Sequence, residues 1–138
     1  MSLARQKYWT DRLSESGWGV VWGKPVAIKR GRPVPGGVCI MARKHLLLQE
    51  VPMTKDEGPE LYESGRVVHA AVATGSGKDT LHVFSFYGWP NAGKDPVARG
   101  KNEHLLRLLM AYIARLGNVP VLVHLINPTT TERSACIL

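Results

Sequence analysis

Four polar side chains stand where a phosphate ester could be handled. Tyr87 closes the apolar run Leu81 to Tyr87, and four residues later Asn91 sits in the turn Gly88-Trp89-Pro90-Asn91-Ala92-Gly93. Asn127 ends a second apolar run, Val119 to Ile126, with His124 three residues before it. A phenol at a strand end donates to a phosphoryl oxygen, and a carboxamide orients water or phosphate around developing negative charge. Hydrolysis would also need a cation that neutralises the phosphate and lowers the pKa of a bound water. The same residues equally make an ordinary surface turn, with Tyr87 packed over a sheet edge and Pro-Asn-Ala-Gly supplying turn geometry.

Other constellations fall short. Gly75-Ser76-Gly77-Lys78-Asp79-Thr80 lacks the phosphate-loop glycine at position 72, which is Val72, and the hydroxyl after the lysine, which is Asp79. It reads as a hairpin turn. None of His45, His69, His82, His104 and His124 pairs with another His or Cys at zinc spacing, and His69 and His82 are expected to face each other across that hairpin. No Gly-x-Ser-x-Gly is present, and neither Cys39 nor Cys136 has a partner histidine in the sequence. Nucleophilic catalysis has no support.

The elements that must position these groups follow from periodicity. Residues 2–16 read as a helix on the spacing of Tyr8, Trp9, Leu13 and Ser16, with Gly17 as its C-cap. Trp18 to Trp22 and Val38 to Arg43 read as strands, and Leu46 to Val51 as the neighbour of the second. Thr54 to Pro59 reads as a charged loop. Arg66 to Ala73 and Leu81 to Tyr87 form a hairpin. Lys94 to Gly100 reads as a loop before the clearest helix, 102–116, whose Leu105, Leu108, Leu109, Tyr112, Ile113 and Leu116 make one apolar stripe. Pro120 to Ile126 is the final strand, and 128–138 a turn-rich tail. The order predicts an α/β layered sandwich, a mostly antiparallel sheet with flanking helices.

With 138 residues, 44% hydrophobic and 21% charged, the chain is sized and composed as one globular domain. Its apolar runs are far shorter than the roughly 18 residues a membrane span requires. The start, Met1 to Lys7, has no apolar core of a leader, and two cysteines make no disulfide framework. An intracellular protein, cytoplasmic or nuclear, is expected. The net charge of +7 is concentrated in residues 1–50, where Lys29, Arg30, Arg32, Arg43 and Lys44 form the candidate phosphate- and nucleic-acid-binding set. Such a field favours polyanions, DNA or RNA foremost, although a solvated basic face carries the same composition.

Five segments in order give a more specific bearing: Gly17-Trp18-Gly19-Val20-Val21-Trp22-Gly23, Gly36-Gly37-Val38-Cys39-Ile40-Met41-Ala42-Arg43, Gly65 to Ala70, Leu81 to Asn91, and Val119 to Asn127. Together they resemble the endonuclease/exonuclease/phosphatase family of Mg²⁺-dependent phosphodiesterases, which includes deoxyribonuclease I and retrotransposon endonucleases. The resemblance implies a partial DNase I-like sandwich over residues 1–138 and a hydrolase, most of all a nuclease. A phosphoinositide phosphatase and a non-catalytic nucleic-acid-binding relative are the alternatives. It gives Tyr87, Asn91 and Asn127 the roles of catalytic residues. In the family the last strand ends Gly-Asp-x-Asn, whereas here it ends His124-Leu125-Ile126-Asn127. The family's metal-holding glutamate and closing Ser-Asp-His motif have no counterpart between residues 1 and 138. The resemblance therefore implies that this chain does not bind Mg²⁺ or cleave, that Leu125 points into the cleft of Tyr87 and Asn127, and that unpaired edges and one uncovered apolar face remain.

Overall fold

Ser2 is extended (φ −73, ψ 157) and its hydroxyl accepts the Arg5 amide, which caps α1 (Leu3–Glu15). Gly17 follows at φ +82 and turns the chain into β1 (Trp18–Trp22). The structure, a computed structural model, describes residues 1–25, 37–74, 79–126 and 134–137. Tyr8 and Trp9, part of the spacing that predicts α1, do not face the core. Both are exposed and stack edge to face on each other, and the buried residue is Gln6. Polar contacts hold this helix: Gln6 Nε2 donates to the Gly23 carbonyl (3.0 Å), and Trp22 Nε1 donates to Thr10 Oγ1 (2.9 Å).

Two mixed sheets follow. The first has the order β1-β2-β7, with β2 (Val38–Arg43) antiparallel to β1 and parallel to β7 (Ser134–Ile137). The second has the order β3-β4-β5-β6: β3 (Gln49–Glu50), β4 (Val67–Thr74), β5 (Asp79–Tyr87) and β6 (Val121–Ile126). In it β3/β4 and β4/β5 are antiparallel while β5/β6 is parallel. Three of the five pairings are thus antiparallel, and the architecture is α/β with mixed sheets and flanking helices. No helix among the described residues is long and apolar enough to cross a membrane.

Several expected boundaries change. The segment after β2 does not pair with it. A 3-10 turn at Lys44–Leu46 and the left-handed Leu47 (φ 49) break the extended run, and Gln49 pairs with Ala71 in the other sheet. The charged loop contains the start of α2 (Gly58–Glu63). The loop before the long helix is its first turn: α3 spans Pro96–Arg115, with Asp95 Oδ1 accepting the Val97 amide at 2.9 Å and Pro96 in a position that needs no donor. The tail contributes β7.

Strands β4 and β5 bury both faces. Val68, Ala70, Val72, Val83 and Tyr87 pack against Val21, Val38 and Ile40 of the first sheet. Val67, Phe84 and Phe86 meet Leu61 of α2 and Leu105, Leu109 and Tyr112 of α3. The apolar stripe expected of α3 is therefore the one that packs. An uncovered apolar face does not appear on these two strands, because the first sheet occupies one side and the helices the other.

One polar group sits deep in the helix-side core. His69 is 1% exposed, lies flat on Phe84 (centroids 4.1 Å), and has a ring nitrogen 3.4 Å from the Tyr112 hydroxyl. Its other nitrogen lies 2.8 Å from His82 Nδ1. In register His69 is opposite Phe84, and His82 opposite Ala71, so the histidines meet diagonally. Burial, helped by His82, lowers the His69 pKa to about 3. The unfolded chain therefore binds a proton that the folded chain refuses between about pH 6.5 and 3. Stability from this group is complete above that window and lost as pH falls through it. His69→Phe should flatten the loss on acidification by on the order of a few kcal/mol, measured by urea melts at stepped pH. An unchanged pH profile would count against a neutral His69.

Candidate functional site at the ends of the fifth and sixth strands

Because β5 and β6 are parallel, both chains leave the sheet at the same end. Tyr87 pairs with Ile126, and the Gly88 amide continues the ladder to the Ile126 carbonyl at 2.8 Å. The strand end that leads to Asn127 is thereby beside Tyr87. Asn127 itself lies outside the described residues, as do Lys29, Arg30 and Arg32.

Tyr87 is 4% exposed and belongs to the core between the sheets. Leu125 is placed otherwise than expected. It pairs with Phe86, and strand alternation puts it on the helix-side face, away from Tyr87, where it is 56% exposed. Asn91 is exposed in a left-handed conformation (φ 62), which its short polar side chain tolerates, and its carbonyl accepts the Lys94 and Asp95 amides. Arg99 holds the same turn by donating to the Ala92 (3.1 Å) and Gly93 (3.0 Å) carbonyls.

Three residues outside the expected set, Arg66, Lys101 and Asn102, complete this end around the Trp89 of the turn. Arg66, just before β4, donates through Nη1 to the Gly88 carbonyl (2.8 Å) and the Tyr87 carbonyl (3.2 Å). Its guanidinium lies 4.1 Å from the Trp89 ring centre and 5.7 Å from that of Tyr87, and the Lys101 ammonium is 5.6 Å from Trp89. Burial pulls the Arg66 pKa below its ordinary value, and the neighbouring Tyr87 opposes that shift. A guanidinium stays protonated regardless. Among the described residues no carboxylate lies within ion-pair distance of Arg66. The third residue is Asn102, 7% exposed, whose Oδ1 accepts the Trp89 amide (2.7 Å) and whose Nδ2 donates to the Trp89 carbonyl (3.3 Å). It clasps the backbone that carries the aromatic ring.

The remaining basic candidates lie elsewhere. Val38, at the start of β2, is beside Gly23, which approaches the Val67 carbonyl at the Tyr87 end. Arg43 closes β2 at its other end, roughly 17 Å away along the strand. It is exposed with its guanidinium 4.0 Å over Trp18, and Lys44 follows, also exposed. The structure therefore gathers Tyr87, Trp89 and Arg66, while Arg43 and Lys44 sit toward the opposite end. Arg66 carried no motif. A buried asparagine on the apolar side of an amphipathic helix was the one legible sign of Asn102.

Metal fit is poor at this end. The described residues that finish β5 and β6 are Phe86, Tyr87, Leu125 and Ile126, and no group of three His, Cys, Asp or Glu side chains suited to a metal occurs among the described residues. Mg²⁺ is held through carboxylate oxygens and water. The arrangement can bind an anion, with cationic and aromatic groups and, among the described residues, no carboxylate paired with Arg66. In comparison with known proteins, the chain matches no family model, no curated protein and no solved structure.

The Trp89 clasp is testable through Gly88. A Cβ there would lie 3.1 Å from both polar atoms of the Asn102 carboxamide. Gly88→Ala should displace that side chain and cost about 1–3 kcal/mol by leaving buried groups unsatisfied. In an Asn102→Ala background the same change should cost much less, which a thermodynamic double-mutant cycle measures.

Proposed function

We propose that the chain is a nucleic-acid-binding relative of the endonuclease/exonuclease/phosphatase enzymes, with a partial DNase I-like sandwich and descent from a metal-dependent nuclease. Its contact with the phosphodiester backbone lies at the joined ends of β5 and β6. The observation that carries this reading is Arg66, a half-buried cation without a carboxylate partner among the described residues, set against Tyr87 and Trp89. An anion arriving there gains a charge-assisted hydrogen bond whose desolvation has largely been met in folding. Lys101 adds a second, exposed cation, and Arg43 and Lys44 extend the favourable field along the sandwich. The five family-like segments coincide with β1, β2, β4, β5 and β6, which is consistent with the proposed descent.

No hydrolytic step is routed through Mg²⁺, because the described donor set does not suit it. The groups at this end hold and orient a phosphate, and the chain by itself binds without cutting.

Fluorescence anisotropy with a labelled DNA oligonucleotide tests the reading. Affinity should fall steeply with salt as counterions are released. Lys101→Gln and Arg66→Gln should each weaken binding across sequences and lower the salt slope by about 1, with melting curves confirming that the variants fold. Plasmid incubated with Mg²⁺ or Mn²⁺ should stay intact. Binding insensitive to salt and to both substitutions would overturn the assignment, and EDTA-sensitive cleavage would restore an enzymatic one.

A further inference from the structure

A separate cavity of about 190 Å³ opens where the chain leaves β3. Residues 51–54 diverge from the start of β4, held only as far as the Val51 amide, which donates to the His69 carbonyl at 3.1 Å. Trp22 forms one wall, Met53, Tyr62 and Val67 form others, and Glu50 stands at the margin. The Trp22 ring is fixed by its hydrogen bond to Thr10, and Met53 and Val67 are buried. The cavity is thus largely preformed, apolar and aromatic.

The charge of its wall is simple. His69 also borders the cavity, but both ring nitrogens are engaged, by Tyr112 and His82. Among the described residues the lining includes no Lys or Arg, and Glu50 is its one carboxylate. Among the described residues Glu50 makes no ion pair, whereas nearby Lys24 is already paired with Glu63. An apolar chamber with aromatic walls and an unpaired carboxylate at its edge complements a cation on a hydrophobic body. Volume sets the size: an engineered cavity of about 150 Å³ in another protein accepts benzene, so one ring or one branched alkyl group fits here.

We propose that this cavity binds a small organic ammonium, with its apolar body between Trp22, Met53 and Tyr62 and its charge at Glu50. The site is distinct from the strand ends at Tyr87 and does not depend on nucleic-acid binding. The overall charge of +7 opposes a cation, so the apolar walls supply most of the affinity and Glu50 supplies selectivity.

Titrating the ¹⁵N-labelled full chain with phenethylamine, and separately with its uncharged counterpart 2-phenylethanol, tests this by amide shifts. Shifts are expected at Glu50, Val51, Met53, Thr54 and Val67, with the ammonium about two- to fivefold tighter than the alcohol. Glu50→Gln, an exposed change, should equalise the two while leaving alcohol binding intact. Equal affinities in the native chain, a preference that survives Glu50→Gln, or no shifts up to the solubility limit would each overturn the proposal. Shifts produced by a lysine-containing peptide but by neither small molecule would overturn it in favour of a protein partner.

Discussion

The parallel pairing of β5 with β6 is the constraint on which the rest depends. Parallel neighbours cannot be joined by a tight turn, so the chain must cross back over the sheet, and α3 is that crossover. A helix laid on one face of β4 and β5 leaves their other face to be covered by something else, and the first sheet does so. The same pairing makes both strands finish at one edge. Tyr87, the clasped turn after it and the end of β6 are therefore neighbours through backbone geometry, before any side chain is considered.

One buried and one half-buried base illustrate how position decides charge. His69 sits among Phe84, Tyr112 and His82, where an imidazolium would be largely desolvated and, among the described residues, without an anion, and it gives up its proton. Arg66 is also partly withdrawn from water, but a guanidinium cannot shed its charge, so two backbone carbonyls and two aromatic rings solvate it instead. The first arrangement serves packing. The second keeps a half-buried cation at the strand ends, without a carboxylate partner among the described residues.

Much of this was legible in the sequence. The hairpin, the apolar stripe of α3 and the strands on either side of the 26–36 segment follow from periodicities of two and 3.6. Proline and glycine misled near α3: Pro96 and Gly100 suggest a loop, yet Asp95 before Pro96 is also a helix-start signal, and that one prevailed. Strand partners were harder. Nothing local to Gln49 and Glu50 distinguishes β2 from β4 as neighbour, since the left-handed Leu47 that redirects the chain is set by tertiary context. At the site, Tyr87 and Asn91 stood out because a turn follows a strand. Arg66 did not, because its role comes from a residue that lies twenty-odd positions away in sequence and next to it in space.

The pairing of β7 with β2 bears on the order in which the molecule can be made. Between those strands lies the whole second sheet with its helices, so their contact joins segments separated by most of the chain. Loop-closure entropy makes such contacts late and slow. During synthesis the β1–β2 hairpin emerges early but must wait, with one side of β2 unpaired, until β7 has left the ribosome. The β5-α3-β6 unit is contiguous and can assemble first as a template. A nascent chain stalled before β7 would thus present an open strand edge next to a half-covered core, the kind of species that chaperones hold.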